Sequence, residues 1–247
     1  MVFLVLAAPI AIAGSSEDRR TVLGVAAAAG VVALLFWVRR VLVTDPRRRA
    51  MEAEGRRLGL AFSAGDREGI GALPFDLLAR PATVREIDNV LRGTWNGVGV
   101  VVFEHRRAND ETEWRYSCVM MPVPAGWSSL LVKPETGLTR VARDVGLHDI
   151  ELEWEEFNRA FEVRSSDRRF ATAVLDARMM EWVLGLSPRY GFEIRSGRLL
   201  AWTTQVQPWH IEEVLRTALT FRKQVPSAVH SLYGTGDPPR RPDRSDA

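Results

Sequence analysis

Residues 83–107 read TVREIDNVLRGTWNGVGVVVFEHRR, and the Asn96-Gly97 pair at their centre decides the fold class. Both residues tolerate positive φ, so the pair is the favoured centre of a two-residue type I′ hairpin turn. After the turn, residues 98–103 are apolar at consecutive positions and so on both faces, which marks a central strand. Polar residues 106–113 form the next turn. Residues 114–121 then return with Trp114, Tyr116, Cys118 and Met120 on one face. The pattern predicts a three-stranded antiparallel meander ending at Pro122, a fourth strand over 129–133, and a short helix over 136–145 closed by Gly146.

Toward the C-terminus, Ile150, Leu152 and Trp154 alternate with Glu151, Glu153 and Glu155, a strand pattern with one wet face. Another strand is expected at 161–163. Asp167 opens a helix to 175, and Asp176 caps a second one over 177–186. Residues 192–194 and 199–203 flank Ser196-Gly197, a second tight hairpin. Pro208 opens a last helix with Ile211, Val214, Leu215, Ala218 and Leu219 as its apolar stripe, interrupted at Pro226. The tail 234–247, GTGDPPRRPDRSDA, is too polar and proline-rich to bury a core. The fold class is therefore α+β over 59–233, as one domain or as two modules, 83–146 and 147–233. Residues 59–81 supply a short strand and a loop along the domain edge.

Toward the N-terminus, residues 21–38, TVLGVAAAAGVVALLFWV, contain no charge and are followed at once by Arg39 and Arg40. Such a run is long enough to cross a bilayer, and with 39–43 it predicts a transmembrane helix over 21–43. Arg39, Arg40, Arg47, Arg48 and Arg49 follow the run, whereas Arg19 and Arg20 before it are balanced by Glu17 and Asp18. The positive-inside bias places the C-terminal domain in the cytoplasm, at a cell (inner) membrane. Asp45-Pro46 is a helix-start signal for a basic juxtamembrane helix over 44–58, ending near Gly59. Its arginines, with Arg39 and Arg40, are the candidate contacts to anionic headgroups. The short apolar segment within 1–20 reads as half of a helical hairpin, as a poor signal peptide with Ala11-Ile12-Ala13 as cleavage site, or as a mobile tail.

Only Lys133 and Lys223 are lysines, so the positive charge is almost all arginine, a usage typical of GC-rich bacterial genomes. The net charge is +2, but seven arginines and three acids in residues 39–57 leave the rest of the domain slightly negative. Nucleic-acid binding draws mainly on phosphate electrostatics, so no nucleic-acid partner is expected. The single cysteine, Cys118, excludes an internal disulfide.

Catalytic motifs fail on context. Gly97-Val98-Gly99 lies in a hairpin with no helix after it, and Gly69-Ile70-Gly71 has no Lys-Ser/Thr, so neither is a phosphate loop. The histidines His105, His148, His210 and His230 are scattered. His148, Asp149, Glu151 and Glu153, within an acidic strand over 148–156, are the nearest approach to a metal site. The solvated strand face is the better reading, as core is for Cys118, for Met179 and Met180, and for the tryptophans Trp95, Trp114, Trp127, Trp154, Trp182, Trp202 and Trp209.

The segments EFNRAFEVRSSDRRF (156–170), LDARMMEWVL (175–184) and GRLLAW (197–202) resemble a family of uncharacterised bacterial membrane-anchored proteins, in which a pattern like FNRxFxVxSxDxxxA recurs downstream of one or two spans. The resemblance implies a domain of unknown function and supplies no catalytic residue. The expected function is a non-catalytic, membrane-anchored interaction or scaffold module, not an enzyme. It needs no cofactor or metal, and its partners are the lipid bilayer and a protein. The alternatives are a metal-assisted enzyme or small-ligand receptor using 148–156, and a pleckstrin-like binder of lipid headgroups.

Overall fold

The computed structural model describes residues 25–26, 29–34, 45–135, 147–187 and 189–234. The chain divides into two compact units, Met1–Arg47 and Arg48–Ala247. In the first, residues 25–26 and 29–34 are helical, and Val25, Val31, Val32 and Leu34 are exposed. Among the described residues no helix is long and apolar enough to cross a membrane; much of the 21–43 segment, with Arg39 and Arg40, lies outside them.

In the second unit the described residues build one antiparallel sheet of nine strands: β1 (Ala61–Gly65), β2 (Val84–Trp95), β3 (Val98–Ala108), β4 (Glu113–Pro122), β5 (Leu130–Pro134), β6 (His148–Asp149), β7 (Phe161–Ser165), β8 (Gly191–Arg195) and β9 (Arg198–Thr204). Their order is β1-β2-β3-β4-β9-β8-β5-β7-β6. Asn96 (φ 48°) and Gly97 (φ 77°) make the β2–β3 turn, while Ser196 (φ 50°) and Gly197 (φ 69°) make the β8–β9 turn. In both, paired positive φ matches the twist of the flanking strands.

Among the described residues seven α-helices accompany the sheet: α1 (Asp45–Leu58), α2 (Asp76–Ala79), α3 (Glu155–Ala160), α4 (Arg168–Val174), α5 (Ala177–Leu184), α6 (Ile211–Gln224) and α7 (Ser227–Tyr233). The alternation of β3 explains the layering. Val100 and Val102 point into the larger core, shared with α1 and α3–α7, whereas Val101 and Phe103 point into a smaller core on the opposite face. That second core is closed by a strap, residues 66–80, which contributes Ile70, Phe75, Leu77 and Leu78. The Asp167 carboxylate accepts from the Arg169 and Phe170 amides, and Asp176 accepts from the Met179 amide, so each caps its helix. Arg57 bridges Glu54 and Glu212 at 2.6 Å each, fastening α1 to α6.

Three differences from the sequence reading have physical causes. The two modules share one sheet, because β4 pairs with β9, from Tyr116↔Thr204 to Pro122↔Arg198, and the fourth strand of the meander is therefore β9. β5 pairs with β7 and β8 instead. Residues 150–154 are not a strand, although Ile150 and Leu152 are buried and Glu151 and Glu153 exposed. The Asn158 side chain satisfies both the amide and the carbonyl of Leu152, at 3.1 and 2.7 Å, in place of a neighbouring strand. One open nine-stranded sheet is likewise not a pleckstrin-like arrangement of a meander closed by a terminal helix. The helix expected over 136–145 lies outside the described residues.

Gly191 stands opposite Trp202 in the β8–β9 ladder, and the indole lies over it. A Cβ there would sit 2.2 Å from two ring carbons of this buried tryptophan. Gly191→Ala should therefore cost about 1–3 kcal/mol through overpacking. Urea unfolding checks it: an unchanged midpoint would mean the ring has room to move.

Candidate functional site

The segments singled out from sequence do not converge. His148 and Asp149 form a two-residue edge strand, with Asp149 tied to Arg164 at 2.9 Å, and Glu151 and Glu153 lie on the exposed stretch beyond. Among the described residues no group of three His, Cys, Asp or Glu side chains is placed to hold a metal ion. Cys118 is fully buried, and burial, with Glu104 adding to it, pushes its thiol well above the ordinary range; it has no nucleophilic character. Met179 and Met180 are core residues. Trp127 and Trp202 are buried, Trp209 is exposed and the other four are half-buried, on different elements. They line no common groove. Arg47, Arg48 and Arg49 lie in the first turns of α1, with Arg48 and Arg49 exposed and the Arg48 guanidinium 5.8 Å from the centre of the Phe62 ring.

The strap is held over the second face by ionic contacts. Lys133 of β5 reaches the Asp76 carboxylate at 3.9 Å, Arg195 of β8 donates to the Pro74 carbonyl at 2.6 Å, and within the strap Arg80 forks onto Asp76 at 2.6 and 3.0 Å. The Asp76 amide donates to the Glu193 carboxylate at 2.8 Å. Paired charges under partial burial fix the register of a segment more than they stabilise it, so these contacts latch the strap in place. Nearby, Arg107 stacks on Trp114 at 4.2 Å.

His105 is buried beneath the strap, its Nδ1 3.3 Å from the Glu86 carbonyl and its ring stacked on Tyr116. Burial lowers its pKa below the ordinary 6.5, and the Arg107 and Arg85 charges reinforce the shift. The folded state thus disfavours the imidazolium. Stability from this group is complete above 6.5 and is lost as pH falls below that value toward the lowered folded pKa, with a slope of at most about 1.4 kcal/mol per pH unit. His105→Phe, which keeps a ring against Tyr116, should flatten the stability profile between pH 6.5 and 5 relative to the parent chain. Parallel profiles would show that His105 does not titrate there.

A groove of about 390 Å³ lies on the strap side of the sheet. Its floor is Val101 and Met120. Ile70 and Leu73 of the strap form one wall, Val123 and Ala125 the other. The rim carries the Glu68–Arg92 ion pair (2.7 Å) and Arg198. The groove opens where the β3–β4 ladder ends. The last pair at that end is Val101↔Met120, so Gly99 has no partner on β4. By register that partner would be Pro122, which has no N–H to offer and pairs outward with Arg198. Gly99 lines the opening, its φ is not in the left-handed region, and a Cβ built on it meets nothing within 4 Å. Neither conformation nor crowding calls for glycine there. Its effect is to leave the end of the groove bare. The groove is apolar below and charged at the lip.

No family model matches the chain. No curated protein matches it either. Among solved structures, the fold is similar to the crystal structure of the mycobacterial trehalose monomycolate transport factor A, TtfA. The TM-score is 0.57 at 15% identity, over 78% of this chain and 98% of that one. At that identity the likeness is one of fold.

Proposed function

We propose that this chain is a non-catalytic accessory module, held at the cytoplasmic face of a membrane by residues 21–43 and engaging a protein partner through its α+β domain. One observation carries the reading: the uncharged run before Arg39 and Arg40 includes helical residues whose apolar side chains, Val25, Val31, Val32 and Leu34, stand uncovered by protein. Water is a poor neighbour for such a surface and lipid a good one. Arg39, Arg40, Arg47, Arg48 and Arg49 then lie against the headgroups. The shared fold with a transport factor supports an accessory role in transport over an enzymatic one, and the FNRAFEV segment supports kinship with membrane-anchored proteins.

The test uses the full-length chain in bacterial membranes. It should pellet with membranes after a carbonate wash, a reporter fused behind Tyr233 should be active only in the cytoplasm, and crosslinking should recover a specific partner. A chain that stays in the wash, or a reporter active only outside, would end the proposal.

A further inference from the structure

We infer that the groove beside Gly99 takes an extended peptide segment with an apolar side chain and a carboxylate, added as a short strand to the uncovered end of β3. The inference rests on the reading of the domain as an interaction module and names the chemistry of its partner.

The backbone supplies the first argument. In a two-residue hairpin the flanking residues, here Trp95 and Val98, exchange backbone hydrogen bonds. Gly99, one residue on, therefore turns its N–H and C=O away from β2 and into the groove, where the β4 ladder has already stopped. A donor and an acceptor side by side on one edge are what an added strand pairs with, and an acyl chain would leave both unanswered. The absent side chain at Gly99 lets another backbone approach closely.

Side chains supply the second. Alternate residues of an added strand project to the strap side of the sheet, where Val101 and Met120, between Ile70 and Val123, offer an apolar flank to the side chain beside Gly99. At the lip Arg92 is committed to Glu68, but the Arg198 side chain makes no hydrogen bond or ion pair among the described residues and is exposed. The lip is thus net positive, complementary to an acidic side chain or a C-terminal carboxylate.

The experiment measures fluorescence anisotropy of a labelled Val-Thr-Val-Val peptide with a free C-terminal carboxylate, titrated with the full-length chain in nanodiscs. Its C-terminal amide and unlabelled decanoate serve as comparisons. Saturable binding is expected, abolished by Gly99→Phe, which fills the groove where nothing else stands. Arg198→Gln should weaken the acid peptide about tenfold and leave the amide unchanged. Binding indifferent to Gly99→Phe, or displacement by decanoate at concentrations below those of the peptide, would overturn the inference, the latter in favour of an amphiphile. Crosslinking in membranes separates the two levels. If full-length Gly99→Phe still captures the partner that the parent chain captures, the groove is wrong and the module reading stands; if the parent chain captures none, the reading itself falls, and the groove with it.

Discussion

Phe192→Ala is expected to cost about 3–5 kcal/mol, a large part of the 5–15 kcal/mol that holds a domain folded. The ring is 1% exposed and stacks on Phe221 of α6 at 4.3 Å and 12°. Tyr190 and Trp182 stand at 6.1 Å on its other sides. Removing it empties the place where β8, α5 and α6 meet, and three ring neighbours cannot all close on one void. Urea unfolding read through tryptophan fluorescence should show a much lower midpoint, with Phe192→Leu far milder. A midpoint within about 1 kcal/mol of the parent would mean that this junction repacks, contrary to the close stacking.

The second large effect concerns location. Val31→Arg with Leu34→Arg places two guanidinium groups near the middle of the apolar run, each costing about 2.5–3.5 kcal/mol at the centre of a spanning helix. The doubly substituted chain should leave the membrane pellet for the supernatant while its domain keeps the parental urea midpoint. If it still pellets, the run is not what holds the chain there.

Local chemistry carried far in reading this fold, and non-local pairing is where it stopped. Asn96-Gly97, Ser196-Gly197 and the Asp167 and Asp176 caps act within a few residues, so their turns and helices were legible. The neighbour of β4 was not, because its apolar alternation fits either β5 or β9 equally well. Residues 150–154 have a strand's rhythm, yet the Asn158 side chain answers the backbone of Leu152 in a strand's place. The groove was out of reach for the same reason. Gly99 entered the sequence reading as part of a failed phosphate loop, and Pro122 as the end of a meander. Only the register that sets them opposite each other makes a gap. A proline and a glycine terminating neighbouring strands was the available signal.

The junction between β4 and β9 also governs what happens during translation. Residues 113–122 leave the ribosome long before residues 198–204 exist to pair with them, and α6 follows later still. Until then the nascent meander offers an open edge at β4, with Val119 and Met121 bare on the face that α6 later covers. A polypeptide stopped before residue 198 accordingly keeps that edge and that apolar face uncovered.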